Sequence, residues 1–252
     1  MGIPDLTVLA KDFENPVNLF EAREFTDASD GKLNYRLLVP QNYDPVRKYP
    51  LVLFLHGAGE RGDDNERQLV HGAGDLVKPD MRKRYPAFVV APQCPEGKKW
   101  VEVPWEAASH SLPEQASEPL TQVLKLLDDL PQEFSIDADR LYVTGLSMGG
   151  YGTWDLLARQ PELIAAAIPI CGGGDPEQVV RFKDIPLWAF HGDQDEAVKV
   201  ERSREMITAL QAAGGQPIYT EYEGVGHNSW ADTYANRAVW DWLFAQRRQR
   251  LK

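Results

Sequence analysis

Gly145-Leu146-Ser147-Met148-Gly149 follows the apolar run Arg140-Leu141-Tyr142-Val143-Thr144 and precedes a helix-like stretch. A serine on a tight strand-to-helix turn has a strained backbone and a hydroxyl that projects outward. Glycines belong on both sides wherever a Cβ would strike the neighbouring strand or helix. The chemistry such a residue could do is nucleophilic attack on a carbonyl. A serine hydroxyl is a weak nucleophile, so it needs a histidine base that is itself held in one tautomer by a carboxylate. In one known chain order these groups follow the serine as acid, then histidine.

The acid is expected just past a later strand. Leu187-Trp188-Ala189-Phe190 runs into His191-Gly192-Asp193-Gln194-Asp195. Asp195, two residues deeper into the loop, is the assigned acid; Asp193 is the alternative, otherwise read as a turn-forming residue. A metal reading of His191, Asp193 and Asp195 lacks a fourth ligand at short range, so no metal and no organic cofactor are expected. The base is assigned to His227, in the glycine-flanked run Gly224-Val225-Gly226-His227 before the final helix. His56 and His191 each precede a glycine at a strand end and read as hydrogen-bonded scaffold, whereas His71 and His110 have no chemical context.

An oxyanion hole needs two N–H groups aimed at the developing charge. One is assigned to Met148, after the nucleophile. The other is assigned to Ala58, in the turn His56-Gly57-Ala58-Gly59, with Gly59 as the neighbouring option. Glu60 and Arg61 follow that turn and could face a cleft, or could simply anchor their own loop. Trp105, Tyr151, Trp154 and Trp230 could line an acyl or aromatic pocket; Trp154, on the elbow helix, reads as packing, and Trp230, three residues past the base, is the better pocket candidate.

These groups need a frame. Glu21–Thr26 and Leu33–Val39 flank Ser29-Asp30-Gly31, a hairpin signal. Apolar runs follow at Pro50–Leu55, Ala87–Ala91, Leu141–Thr144, Ala165–Ile170, Leu187–Phe190 and Ile218–Tyr222. Between them lie helix patterns at Leu112–Leu130, Gly149–Arg159, Val200–Ala213 and Ala231–Gln246. A hairpin followed by repeated β-α units predicts an α/β fold, with a mostly parallel central sheet and helices on both faces. Reactive groups in such sheets gather at the carboxyl ends of the strands, where every motif above falls. The long segment Pro92–Pro113, with Trp100 and Trp105, reads as a wall of the cleft.

The chain has 252 residues, 43% hydrophobic and 26% charged, and reads as one domain with its core over about residues 20–245. A formal charge of −11 argues against a nucleic-acid partner. Arg247, Arg248, Arg250 and Lys252 read as a frayed helix end whose cations suit the dipole. Cys94 and Cys171 read as buried free thiols. No run approaches the ~20 apolar residues of a membrane span. Met1–Pro16 lacks the apolar segment of a signal peptide, so the expected compartment is cytoplasmic, or periplasmic or secreted if a leader has been removed. Nothing in the chain fixes an oligomeric state.

The runs Phe54–Asn65, Ala91-Pro92-Gln93-Cys94-Pro95 and Gly145–Trp154 together resemble the phospholipase/carboxylesterase-like branch of the α/β-hydrolases, which includes predicted peptidases and polyhydroxybutyrate-depolymerase or feruloyl-esterase relatives. The resemblance implies the α/β-hydrolase fold and Ser147, Asp195 and His227 as a catalytic triad. It departs from prolyl-oligopeptidase-type enzymes, which carry a propeller domain, and from dienelactone-hydrolase relatives, whose elbow holds cysteine. The expected activity is hydrolysis of small carboxylic esters through an acyl-enzyme. A peptidase or amidase acting on short peptides with the same triad, and a non-catalytic binding module, are the alternatives.

Overall fold

The computed structural model of the chain describes residues 16–28 and 31–248. The strands are β1 (Glu21–Thr26), β2 (Lys32–Leu38), β3 (Tyr49–Leu55), β4 (Phe88–Pro92), β5 (Ile136–Leu146), β6 (Ala166–Ile170), β7 (Trp188–Gly192) and β8 (Ile218–Tyr222). The helices are α1 (Ala73–Leu76), α2 (Pro79–Arg84), α3 (Glu118–Glu133), α4 (Met148–Arg159), α5 (Glu201–Ala212), α6 (Trp230–Ala235) and α7 (Arg237–Ala245). The strands form one sheet in the order β1-β2-β4-β3-β5-β6-β7-β8. β1 and β2 pair antiparallel, as do β2 and β4, and every later pairing is parallel. This is the α/β-hydrolase fold. Ser29 and Asp30 of the expected hairpin turn lie outside the described residues, as do residues 1–15, Arg250 and Lys252.

Alternation along the strands builds a core on each face of the sheet. Leu51, Leu53 and Leu55 of β3 pack with Val123, Leu126 and Leu130 of α3, Trp154 of α4 and Leu210 of α5. Val52 and Phe54 face the other way, toward Ala73 and Leu76 of α1, Tyr234 of α6 and Trp240 of α7. A continuous apolar strand is therefore required by helices on both sides.

The structure departs from the sequence reading in several places, of which four bear on the ends and number of the helices. The helix expected from Leu112 starts at Glu118, because Ser117 caps it by accepting from the Leu120 N–H at 3.2 Å, with Pro119 in its first turn. The last helix is two, broken at Asn236, whose side chain accepts from the Ala238 N–H and caps α7. Helices α1 and α2 have no counterpart in the sequence reading; they supply Ala73, Leu76 and Met81 to the second core. Arg247 and Arg248 lie beyond the end of α7 and bridge to Asp137 and Asp139 instead of extending the helix. No helix among the described residues is long and apolar enough to cross a membrane.

Candidate active site

Ser147 sits between β5 and α4 with φ 53° and ψ −116°, a left-handed conformation that a non-glycine residue holds only when its surroundings enforce it. They do so here. A Cβ on Gly149 would collide with the Leu55 carbonyl, and one on Gly145 would collide with the Gly149 carbonyl. β3 and β5 pair in parallel with Leu55 opposite Gly145, so the chain leaving β3 runs alongside the elbow. The Ser147 N–H donates to the Ile170 carbonyl at 2.9 Å, tying the turn to β6. Met148 begins α4, and Ala58 begins the 3-10 turn Ala58–Glu60 after β3. First-turn N–H groups have no carbonyl from a preceding turn to bond, which leaves such donors free for a ligand.

The three residues expected to cooperate come together. His227 Nε2 lies 2.9 Å from Ser147 Oγ, and His227 Nδ1 lies 2.7 Å from Asp195 Oδ2. The Asp195 side chain is 0% exposed and that of His227 is 28% exposed, so a small molecule can reach the imidazole while the carboxylate is sealed behind it. Asp195 Oδ1 accepts from the N–H groups of Ala197 and Val198, each at 2.9 Å. Burial alone would raise the Asp195 carboxyl. Hydrogen bonds from His191, His227 and the Val198 N–H outweigh it and hold the group below the usual carboxylate range.

Asp193 takes a different part. Its Oδ1 accepts from the Gly224 N–H at 2.8 Å, while the Gln194 N–H donates to the Val225 carbonyl at 2.9 Å. The loop carrying Asp195 is thus laced to the loop carrying His227. A Cβ on Gly192 would collide with the Val225 carbonyl and force the two loops apart.

His56 and His191 are hydrogen-bonded scaffold, as read from the sequence. His56 Nδ1 donates to the Gly57 carbonyl at 2.6 Å, and its Nε2 accepts from the Cys94 N–H at 2.9 Å. His191 Nε2 faces Asp195 Oδ2 at 3.1 Å and the Val198 carbonyl at 2.9 Å. Trp230 stands edge-to-face with the His227 ring at 5.2 Å, and Glu60 Oε1 lies 3.8 Å from His71 Nε2, whose ring is 5.6 Å from Trp230. His71 therefore has a context that its sequence neighbours do not reveal. Trp105 is half-buried in the wall; the Tyr151 hydroxyl donates to its carbonyl at 3.2 Å and the Lys99 ammonium lies 4.8 Å over its ring.

That wall is tied down by buried charges the sequence reading misses. Arg159, paired with Asp155 at 2.5 Å, donates to the Pro113 carbonyl at 2.6 Å. Arg202 donates to the Ala108 carbonyl at 2.8 Å and to His110 Nδ1 at 2.6 Å. Asp175 accepts from the Leu112 N–H at 2.8 Å. Burial, with help from Arg202, pushes His110 down to about 4, which suits its role as a neutral acceptor.

Among the described residues, one set of potential metal donors converges: Cys171, Asp195 and His227, whose donor atoms lie within 4.8 Å of one another. Their chemistry does not suit an ion. Burial pushes the Cys171 thiol far above its ordinary range, and metal binding needs the thiolate. Asp195 and His227 Nδ1 already bond each other. Cys94 and Cys171 are both free and buried.

Residues 42–236 match the family model described as Phospholipase/Carboxylesterase. A thermostable esterase of known structure is 46% identical with a TM-score of 0.86, the match covering 92% of this chain and 64% of that one. A bifunctional acetylxylan esterase/xylanase from Neocallimastix patriciarum is 26% identical over 65% of this chain and 21% of its own length. A ferulic acid esterase structure is 16% identical with a TM-score of 0.66, covering 89% of this chain and 96% of that one. An uncharacterized secreted protein from Arthroderma benhamiae is matched over 22% of its length. The chain thus spans about a fifth of these two curated relatives and just under two thirds of the thermostable esterase.

Proposed function

We propose that this chain, which belongs to the phospholipase/carboxylesterase family, is a serine carboxylesterase acting on small carboxylic esters. The observation that carries the proposal is the continuous hydrogen-bonded line from Ser147 Oγ through His227 to Asp195 Oδ2, at 2.9 and 2.7 Å. A serine–imidazole–carboxylate line is what nucleophilic acyl transfer requires.

In the proposed cycle Ser147 Oγ attacks the ester carbonyl carbon as its proton passes to His227 Nε2. Asp195, already ionised, accepts from His227 Nδ1–H and stabilises the imidazolium that forms. The N–H groups of Met148 and Ala58 receive the oxyanion of the tetrahedral intermediate. The intermediate collapses, the C–O bond to the alcohol breaks, and the alcohol leaves with the proton from His227. Water then repeats the sequence on the acyl-serine, with His227 as base, and releases the acid. Trp230 and Glu60, on the side of the base and the oxyanion turn, are proposed to meet the substrate, with Trp105 contributing from the wall.

The 46% identity to a thermostable esterase supports an ester over an amide substrate. In the test, Ser147→Ala is expected to lower p-nitrophenyl acetate turnover to background while the thermal melt stays intact. A well-folded variant within about tenfold of the parent would refute the assignment.

A further inference from the structure

Asp195 is held by two imidazoles. His227 Nδ1 and His191 Nε2 approach the same oxygen, Oδ2, at 2.7 and 3.1 Å. Because His191 Nε2 also faces the Val198 carbonyl at 2.9 Å, two acceptors lie before it, and that nitrogen must carry a hydrogen. Its Nδ1 lies 2.7 Å from Ser203 Oγ, and Ser203 Oγ lies 3.3 Å from the Gly172 carbonyl. The His191 ring and the Asp195 side chain are both 0% exposed, so these bonds are shielded from bulk solvent. The line that starts at Ser147 therefore continues through the acid into α5 and the end of β6.

Among the described residues, Asp195 takes side-chain hydrogen bonds from His191 and His227, and backbone ones from Ala197 and Val198. The backbone pair grips Oδ1 alone. The aim of the carboxylate is thus secured without His191, and the imidazole acts on the oxygen that faces the base. We propose that His191 is a positioning residue that shares Asp195 Oδ2 with His227 and so limits how strongly the acid pulls on the base. This rests on Ser147, His227 and Asp195 being the reacting groups.

Other ionisable groups border the pair from each packed element. They are Cys171 at the end of β6, Tyr151 on α4 with Arg202 of α5 over its ring, Glu221 on β8 held by Arg204 of α5, and Asp193 in the acid's own loop. Asp193 and Glu221 are acceptors already engaged by the Gly224 N–H and by Arg204, so neither replaces the His191 donor, and burial keeps the Cys171 thiol neutral, so it adds no charge beside the pair.

The consequence has a definite sign. A donor on Oδ2 draws negative charge away from His227 Nδ1–H, which makes the charged form of the base less favourable. Removing that donor favours the charged base, so activity should fall off at a higher pH on the acid side. His191→Leu removes it; His191→Gln keeps a neutral N–H at similar reach. Ser203→Ala leaves the ring but removes the hydroxyl that polarises it.

The experiment measures kcat and KM for p-nitrophenyl acetate across pH in the parent and all three variants, with a thermal melt for each. His191→Leu should move the acid limb of kcat up by about half to one pH unit with KM unchanged, and His191→Gln should return most of that shift. Ser203→Ala should move it in the same direction by less, and it decides the matter if the leucine variant does not fold. Folded variants whose acid limbs superpose on the parent's would overturn the inference. Were Ser147→Ala still active, the triad reading would fail instead, so the two failures are separable.

Discussion

Acidification from pH 7.5 to pH 5 should cost stability through one buried ring just past the end of β3, His56. Burial, the largest influence, pushes this imidazole from the ordinary 6.5 down to about 4, against the opposing pull of its bond to the Gly57 carbonyl. Its Nε2 is committed as an acceptor to the Cys94 N–H, so a second proton would set two donors face to face. Folding depresses the affinity for the proton, and the unfolded chain therefore binds it first. The contribution is intact above about pH 6.5, declines as pH falls, and stops declining below about pH 4. Proton linkage over that interval gives a loss of roughly 2 kcal/mol at pH 5 and roughly 3 kcal/mol by pH 4. Carboxylates titrate in the same range, so the comparison needs a variant. His56→Gln can accept from the Cys94 N–H through its amide oxygen and does not titrate. Urea unfolding at pH 7.5, 6 and 5 should show a less stable variant at pH 7.5 whose loss on acidification is about 2 kcal/mol smaller. Parallel losses in parent and variant would refute the reasoning.

Asp195→Asn should lower kcat by about 10⁴-fold, because an amide in place of the carboxylate destabilises the required imidazole tautomer, whereas Asp193→Asn, still able to accept from Gly224, should stay within about tenfold; equal losses in steady-state assays would overturn the assignment. Arg159→Ala leaves Asp155 buried without its cation and frees the Pro113 carbonyl, an expected loss of about 3–5 kcal/mol seen as a melting point lower by roughly 10 °C in calorimetry. Burial pushes the Cys94 thiol up to about 12 and Cys171 further still. A maleimide at pH 7.5 should therefore label neither cysteine in the folded protein and both in denaturant, counted by mass spectrometry.

The parts legible in the sequence are those where a local pattern and a tertiary requirement coincide. Leu51–Leu55 reads as a strand because both faces are covered, and Glu21–Thr26 and Ile218–Tyr222 lie where their patterns put them. Ser147, Asp195 and His227 are recognisable because each stands in a loop just past a strand, in the order one known arrangement requires. What escapes depends on distant partners. The wall around Trp105 is anchored by residues 46 to 94 positions further along the chain, and nothing near Ala108 or Pro113 announces Arg202 or Arg159. Segment 67–84 hides its helices because Gly72, at φ 75°, interrupts a pattern already rich in polar residues. Asn236, by contrast, carries a readable cap signal inside what looks like one helix. His191 is recognisable as scaffold, yet which carboxylate oxygen it meets is a matter of rotamer and loop shape.

The sheet order gives Ser147 and His227 unequal tenure. Ser147 rises from β5, which has β3 on one side and β6 on the other, whereas His227 follows β8, which lies at one edge of the sheet and, among the described residues, pairs with β7 alone. Ile218 at the start of β8 is 40% exposed, while Val143 of β5 is 1% exposed. Edge elements with few buried contacts open at lower free energy than central ones. Fraying of that margin would withdraw the imidazole and leave the serine standing in an intact elbow. Under mild denaturant, inactivation would then run ahead of global unfolding and reverse on dilution, with the sheet's centre serving as the template on which the margin zips shut again.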